Sequence, residues 1–155
     1  MKYWKDAERI VSMNDSLAMA TVDADGTPRV APIGSLFLTE EGRGIYFEKL
    51  PKGQRGNLDR DGRFSILAGR GGMLFWLKAL TRGRFSSLPG LRLVGRAGKR
   101  RSCTPEERKL FDSKFGTYRF TRGYGLLWKD MSIVRDLEFE RVEPVSVGPM
   151  TRELI

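Results

Sequence analysis

Short apolar segments alternate with tight-turn sequences over the first third of the chain. The segments span residues 17–22, 28–37 and 45–48, and the turns between them contain Gly26 and Gly42. Short loops rich in Gly and Asp join antiparallel strands, whereas parallel strands need a crossover of a dozen or more residues. This rhythm therefore predicts three consecutive strands of an antiparallel meander.

Three later segments are predicted as further strands, and in the second and third of them apolar and polar residues alternate. They are Arg63–Ala68, Leu91–Ala97 and Met131–Val142. A sheet of about six antiparallel strands is most economical as a barrel, since closure removes unpaired edges. The predicted fold class is therefore mainly β (α+β), a six-stranded antiparallel barrel.

Two or three short helices are predicted to accompany these strands. Apolar residues recur at helical spacing in Trp4–Met13, and Gln54–Arg60 is a second candidate. A third helix starts after Thr104, because Pro105 suits the first helical position and Glu107 completes a capping box with Thr104.

The residue types present exclude several classes of active site. The 155 residues include no histidine and a single cysteine, Cys103. A Ser-His-Asp triad, a Cys-His pair, a His-bearing zinc site and an internal disulfide are therefore all excluded, and no metal site is expected. The length fits one domain spanning residues 1–155. Because Met1–Asp6 lacks the apolar core of a signal peptide, we expect a cytoplasmic protein.

The chain is basic, with 28 Lys and Arg residues against 19 Asp and Glu, for a formal net charge of +9. The basic residues are scattered, and the densest run, Arg96–Arg101, is typical of a solvated turn. No helix-turn-helix, zinc-finger or RNP pattern accompanies them, so a phosphorylated ligand is favoured over nucleic acid. The apolar segment Met73–Leu80 is predicted to cover one end of the barrel, as a helix or strand, and no membrane partner is expected.

The connection after the third strand combines features of an anion-binding site. Glycines within Pro51–Asn57 can bring backbone N–H groups close to an anion, and the start of a helix adds a positive dipole. Lys52 and Arg55 add formal charge there. The alternative interpretation of both residues is a solvated helix start.

Six segments follow one another in an order and spacing that are more specific than any segment alone. They are LAMATVDADGTPRVAP (17–32), IYFE (45–48), GQRGNLDRDGRF (53–64), LRLVGRA (91–97), TPEER (104–108) and FERVEPV (139–145). Together they resemble the FMN-binding split-barrel proteins related to pyridoxamine 5′-phosphate oxidase. The resemblance covers roughly residues 7–70 and 91–147.

This resemblance implies a homodimer of split β-barrels with FMN at the interface between the protomers. It implies that backbone atoms of the second strand lie along the isoalloxazine ring and that the end of the third strand lies near the ribityl phosphate. The strand–helix connection that follows would hold the phosphate. The residues nominated for cofactor binding are Arg29, Val30, Ala31, Pro32, Ile33, Gly34, Ser35, Phe47, Glu48, Lys49, Lys52, Gln54, Arg55 and Asn57.

The function implied by the resemblance is an oxidoreductase that transfers hydride through FMN, with a deazaflavin coenzyme as the alternative cofactor. The redox chemistry would belong to the cofactor, so no catalytic side chain is predicted. A non-catalytic flavin- or ligand-binding module, such as a stress-response protein, is the alternative function, and a basic nucleic-acid-binding barrel is the third. Trp76 and Trp128 are large enough to stack on a flavin, but packing in the core or in a dimer interface is the preferred prediction for both.

Overall fold

The computed structural model describes residues 1–49 and 52–155. Seven strands lie in these residues: β1 (Leu17–Val22), β2 (Pro28–Ile33), β3 (Leu36–Leu38), β4 (Arg43–Phe47), β5 (Arg63–Gly69), β6 (Gly90–Ser102) and β7 (Ile133–Pro144). They form one sheet in the order β2-β1-β5-β6-β7-β4-β3, and every neighbouring pair is antiparallel.

The two edge strands of this sheet are consecutive in the chain. β2 and β3 lie at opposite edges, yet only Gly34 and Ser35 separate them. The sheet must therefore curl until its edges meet at this link, while β2 and β3 form no ladder with each other. The predicted antiparallel split barrel is confirmed, with seven strands rather than six.

The additional strand arises because the predicted second strand, residues 28–37, divides at Gly34 into β2 and β3. A Cβ atom on Gly34 would lie only 2.8 Å from the backbone oxygen of Asp15, so this close approach requires a glycine. The third predicted strand, residues 45–48, is observed as β4 and starts two residues earlier, at Arg43.

Five α-helices are found among the described residues. They are α1 (Trp4–Ser12), α2 (Lys52–Arg60), α3 (Met73–Arg82), α4 (Pro105–Phe115) and α5 (Arg122–Leu127). The predicted capping box of α4 is confirmed: Glu107 N–H donates to Thr104 Oγ1 at 3.2 Å, and Thr104 N–H donates to Glu107 Oε2 at 2.8 Å. The sequence did not predict α5, whose Gly123 and Gly125 disfavour a helix. Across the described part of the chain, no helix is long and apolar enough to cross a membrane.

Two clusters of buried apolar side chains hold the helices on the sheet. One fills the barrel and contains, among others, Ile10, Met19, Ile66, Leu93 and Leu137. In the other, Phe111 and Phe115 of α4 pack against Phe47 and Val134. Since Tyr46 belongs to the first cluster and Phe47 to the second, the two clusters lie on opposite faces of β4.

The position of Arg135 corrects the alternation predicted for β7. The sequence grouped Arg135 with the polar residues between the apolar positions, but its side chain is fully buried. Arg135 shares a strand face with Leu137 and Phe139, which point into the barrel core. A register shift opposite Gly95 inserts an extra residue into β7, so Val142 also faces the core despite its different parity.

The apolar segment predicted to cover one end of the barrel forms the helix α3, but most of its apolar side chains face solvent. Ala79 is buried and Phe75 is half-buried. Met73, Leu77 and Leu80 are exposed. Only one side of this helix is therefore packed, with Phe75 and Trp76 against Phe85.

Candidate functional site

A groove of about 160 Å³ opens beside the link between the two edge strands. Its lining comes from the β2–β3 link, the end of β4 and the segment after α5. The lining residues are Pro32, Ile33, Gly34, Ser35, Tyr46, Phe47, Lys49, Leu127, Trp128 and Met131. Six of them were nominated from the sequence: Pro32, Ile33, Gly34, Ser35, Phe47 and Lys49.

Hydrogen bonds between Ser35 and Phe47 fix the floor of the groove. Ser35 Oγ donates to the Phe47 carbonyl at 2.6 Å, and Phe47 N–H donates to the Ser35 carbonyl at 3.1 Å. Both side chains are buried. The β2–β3 link and the end of β4 therefore hold a fixed relative position.

Trp128, in the segment after α5, forms an aromatic wall on one side of the groove. The ring of Trp128 lies 4.8 Å from that of Phe115 at an angle of 37°, and Trp128 N–H donates to the Tyr124 carbonyl at 2.8 Å. Trp128 is half-buried, so it both packs on the α4 cluster and lines the groove. Trp76 lies on α3 and is not among the groove residues.

Val30 and Ala31 of β2, both nominated from the sequence, flank the groove without lining it. Val30 is two-thirds exposed, whereas Ala31 is buried. β2 pairs only with β1, so its other edge is unpaired within the described sheet. That edge continues directly into the groove at Pro32 and Ile33.

Four basic residues gather where β4 leads into α2; we call Arg29, Lys49, Lys52 and Arg55 the cationic cluster. The guanidinium of Arg29 covers the start of α2 so closely that a Cβ atom on Gly53 would lie 2.9 Å from its Cζ. Arg55 donates to the Lys49 carbonyl at 3.1 Å, and Lys49 Nζ donates to the Leu126 carbonyl at 3.3 Å. Pro51, part of the anion loop expected from the sequence, lies outside the described residues.

Arg29 also forms a bidentate pair with Asp23 on the neighbouring strand end. Its Nε and Nη2 donate to the carboxylate at 2.8 and 2.7 Å. These hydrogen bonds, supported by one from Asn57, lower the pKa of Asp23 from 3.8 to about 2. The side chain of Arg29 is still about half exposed and accessible to an anion.

Gln54 and Asn57, both nominated from the sequence, face β1 rather than the cationic cluster. Gln54 Nε2 donates to the Met19 carbonyl at 3.2 Å, and Asn57 Nδ2 donates to Thr21 Oγ1 at 3.0 Å. Both amides are buried. They hold α2 on the sheet and so orient the helix start at which the cationic cluster lies.

Glu48 is committed to an ion pair inside the protein. Arg135 Nε donates to Glu48 Oε2 at 2.8 Å, and Arg135 also donates to Asp59 Oδ1 at 2.7 Å and to the Gly98 carbonyl at 3.1 Å. Burial by itself lowers the pKa of Arg135, but its hydrogen bonds to Glu48 and Asp59 raise that pKa overall. Glu48 thus fixes the backbone between Phe47 of the groove and Lys49 of the cationic cluster.

The sequence-based nomination missed Tyr46, Leu127 and Met131 of the groove and Arg135 behind it. No local pattern marks the residues after α5, because only the tertiary fold brings them to the β2–β3 link. Arg135 could have been found from the strand alternation, because it has the same parity as Leu137 and Phe139 and no extra residue of β7 lies between them. Beside Glu48, the buried Tyr46 hydroxyl has its pKa raised to about 12, chiefly by burial.

The fold and the groove define a split-barrel protein with a cationic helix start beside an aromatic-walled groove. The family model described as pyridoxamine 5′-phosphate oxidase matches residues 4–147, and the chain belongs to that family. No curated protein matches the sequence.

Solved structures share this fold at low sequence identity. An FMN-binding protein from Syntrophomonas wolfei subsp. wolfei has a TM-score of 0.66 and 15% identity, with 93% of this chain and 86% of that chain covered. HupZ from Group A Streptococcus has a TM-score of 0.59 and 21% identity over 93% of this chain and 94% of its own. HutZ, the heme storage protein from Vibrio cholerae, has a TM-score of 0.55 and 18% identity, with 93% and 96% covered. At these identities the likeness shows the fold alone.

The cationic cluster passes a test of fit for a phosphorylated cofactor. The buried Nε of Arg55 has no hydrogen-bond partner among residues 1–49 and 52–155, although Glu48 Oε1 lies 3.9 Å away. Lys52 is exposed and forms no ion pair with any described residue. Buried donors are normally hydrogen-bonded, so an anion at this helix start would satisfy donors that the chain itself leaves free.

Proposed function

We propose that this protein binds FMN, with the isoalloxazine ring along the free edge of β2 and in the groove, and the phosphate on the cationic cluster. The observation that carries the proposal is the continuity of the two features through Lys49. Lys49 lines the groove, and its carbonyl accepts a hydrogen bond from Arg55 of the cluster. A planar ring system and a phosphate joined by a short polar chain match this arrangement.

The proposed assembly is a homodimer in which the partner completes the cofactor site. At about 160 Å³ the groove is smaller than the roughly 300–1,000 Å³ of typical cofactor sites. Two exposed apolar side chains lie at its rim: Leu127 lines the groove, and the adjacent Leu126 accepts a hydrogen bond from Lys49 through its carbonyl. Apolar surface beside an undersized site is typical of an interface, so a second protomer would both bury these side chains and enclose the ring.

The proposed activity is oxidoreduction by hydride transfer, chemistry that FMN supplies when bound. The chain's own residues would bind and orient the cofactor. Trp128 and Phe47 exclude water from one side of the groove, and the Ser35–Phe47 hydrogen bonds fix its floor. Lys52 and Arg55 would hold the phosphate by charge-assisted hydrogen bonds.

Flavin fits this chain better than heme, the cofactor named for the heme storage protein HutZ. The commonest axial ligand of heme iron is a histidine, and this sequence has none. The cationic cluster beside an unpaired strand edge instead suits a phosphorylated ring that is held by backbone groups.

The test is a titration of the purified protein with FMN, riboflavin, FAD, a deazaflavin coenzyme and hemin. We expect a yellow complex with quenched flavin fluorescence, saturation by FMN at micromolar concentration, and weaker binding of riboflavin. If FMN does not bind at that concentration, the proposal is wrong. Reduction of the bound FMN by NADH or NADPH supports an oxidoreductase, whereas tight FMN without reduction favours the non-catalytic module.

A further inference from the structure

The outward side of α3 is apolar, and this is the reverse of an ordinary surface helix. Met73, Leu77 and Leu80 recur at helical spacing and are 83%, 54% and 64% exposed. Ala79, on the opposite side of the helix, is buried, and Trp76 packs edge-on against Phe85 at 5.1 Å. The helix is thus held by one side and presents a stripe of large aliphatic side chains to its surroundings. We call Met73, Leu74, Leu77 and Leu80 the apolar stripe.

The surroundings of the apolar stripe are strongly basic. Between Asp61 and Glu106 the sequence has ten Lys and Arg residues and no acidic residue. Lys78 and Arg82 lie on α3 itself, are exposed, and form no ion pair within residues 1–49 and 52–155. Arg84, just after the helix, pairs with Glu153 at 3.1 Å in an exposed contact, and Glu153 is the one acidic partner found near the stripe among the described residues.

Arg70 makes a cation–π contact at the first turn of α3. The guanidinium of Arg70 lies 4.5 Å from the centre of the Phe75 ring and is hydrogen-bonded to Ser87. Arg70 therefore has a fixed position beside the apolar stripe. Basic residues stand before, within and after the helix, and its outward side remains apolar.

We propose that α3 docks this protein on the surface of an anionic phospholipid bilayer. The apolar stripe would enter the boundary between headgroups and acyl chains, and Lys78, Arg82 and the flanking arginines would contact the negatively charged headgroups. At ten residues α3 is about 15 Å long, half the thickness of the hydrocarbon core, so it lies in the plane of the surface. The sequence-based expectation of no membrane partner rested on spanning and anchoring segments, which surface docking does not need.

Charge argues for this occupant over a second copy of the chain. A symmetric contact through α3 would bring the same basic residues of two protomers together, and like charges at close range repel. Nucleic acid would satisfy the positive charge but would leave the four aliphatic side chains in water. An anionic bilayer is the partner that matches both the charge and the apolar stripe.

The experiment is co-sedimentation of the full-length protein with vesicles of phosphatidylcholine alone or with 30% phosphatidylserine. We expect binding to the anionic vesicles and little binding to the neutral ones. Leu77→Ser/Leu80→Ser should weaken the partition coefficient at least about tenfold, because it removes the inserted side chains. Lys78→Gln/Arg82→Gln should weaken it about twenty-five-fold, since each basic residue near an anionic surface is worth about fivefold.

Matched controls distinguish binding through α3 from nonspecific hydrophobic adsorption and from the effect of net charge. Phe120→Ser removes an apolar side chain that is 87% exposed elsewhere, and Lys109→Gln/Arg119→Gln removes two exposed charges from another region. Both controls should bind the anionic vesicles like the unaltered protein. All variants change exposed side chains, and their melting temperatures verify that folding is intact.

Three results would overturn the proposal. One is that the unaltered protein does not sediment with anionic vesicles. Another is that Leu77→Ser/Leu80→Ser binds the vesicles as before while its mass by sedimentation falls by half, which would make the apolar stripe a protein–protein interface. The third is binding of an oligonucleotide duplex that Lys78→Gln/Arg82→Gln abolishes, with vesicle binding unaffected by either double variant.

Discussion

The guanidinium of Arg135 donates two hydrogen bonds to the carboxylate of Glu48, at 2.8 and 3.4 Å, and both side chains are almost fully buried. The pair lies directly behind the backbone that joins the groove to the cationic cluster. Because Asp59 also accepts from Arg135 at 2.7 Å, the network ties β4, α2 and β7 together. The geometry of the candidate site therefore depends on a contact that no cofactor would touch.

Replacing Arg135 should be strongly destabilising. We expect Arg135→Met to lower the free energy of unfolding by about 3–5 kcal/mol, because Glu48 would remain buried without its partner. The double variant Glu48→Gln/Arg135→Met should lose less, since no uncompensated charge is buried. Urea denaturation of the three proteins provides the measurement. Arg141→Met, an exposed arginine of the same strand, is the control and should change stability by less than about 0.5 kcal/mol.

Local signals in the sequence were sufficient for much of the fold. The capping box of Thr104 and Glu107 involves residues three apart, so it could be predicted without knowledge of the tertiary structure. The hairpin of β1 and β2 follows from its Asp-Gly turn in the same way. The division at Gly34 was missed, because it depends on the backbone of Asp15, a residue distant in sequence.

The candidate site was predictable in part, and Phe47 and Lys49 at the end of β4 were nominated and line the groove. Pro32 to Ser35 were nominated together and line the groove together. Trp128 comes from a segment almost a hundred residues later, and the sequence alone favoured its role in packing over a place at a ligand. Arg135 was assigned to the wrong side of its strand because it is charged, although it has the same parity as the buried Leu137 and Phe139.

The phosphate role proposed for the cationic cluster predicts a selective loss of affinity. Lys52→Ala/Arg55→Ala should raise the Kd for FMN at least about 100-fold, since charge-assisted hydrogen bonds contribute about 1.5–3 kcal/mol each. The Kd for riboflavin, which has no phosphate, should change less than about threefold. Fluorescence quenching titrations measure both constants.

Arg43→Ala/Lys109→Ala is the matched control for that experiment, because it removes two exposed positive charges away from the helix start. It should leave both Kd values within about twofold. Equal losses for FMN and riboflavin in Lys52→Ala/Arg55→Ala would remove these two residues from the phosphate site.

The Asp23–Arg29 pair predicts a distinctive carboxyl titration. In the folded protein the pKa of Asp23 is lowered from 3.8 to about 2, so stability from this contact is present above about pH 4 and is lost as the pH falls through 2. We expect Arg29→Gln to return the pKa toward 3.8, because the Arg29 hydrogen bonds are the largest cause of the shift. Carboxyl-carbon NMR measures the pKa directly. An unchanged pKa in the variant would show that Arg29 does not hold Asp23.

A glycine in β6, Gly95, lies opposite the register shift of β7. A Cβ atom on Gly95 would lie 2.1 Å from the Glu138 backbone oxygen, a separation that two backbones cannot accommodate without moving apart. Gly95→Ala should therefore lower the free energy of unfolding by about 2 kcal/mol or more. Gly69→Ala, at a strand position with nothing within 4 Å of its Cβ, is the control and should be nearly neutral. Thermal or urea unfolding of both variants decides the comparison.

The homodimer proposed above, with its interface on the apolar surface beside the groove, predicts the mass of the protein in solution. Sedimentation equilibrium should give twice the chain mass of 17.6 kDa. Leu126→Glu places a charge on a side chain that is 77% exposed in the single protomer, next to Leu127 of the groove. We expect this variant to sediment as a monomer and to bind FMN at least about tenfold more weakly, because burying an unpaired carboxylate in an interface is costly.

Met13→Glu is the control, because it changes an exposed apolar residue at the end of α1; it should remain dimeric and bind FMN normally. A Leu126→Glu protein that stays dimeric with unchanged FMN affinity would place the interface elsewhere on the barrel.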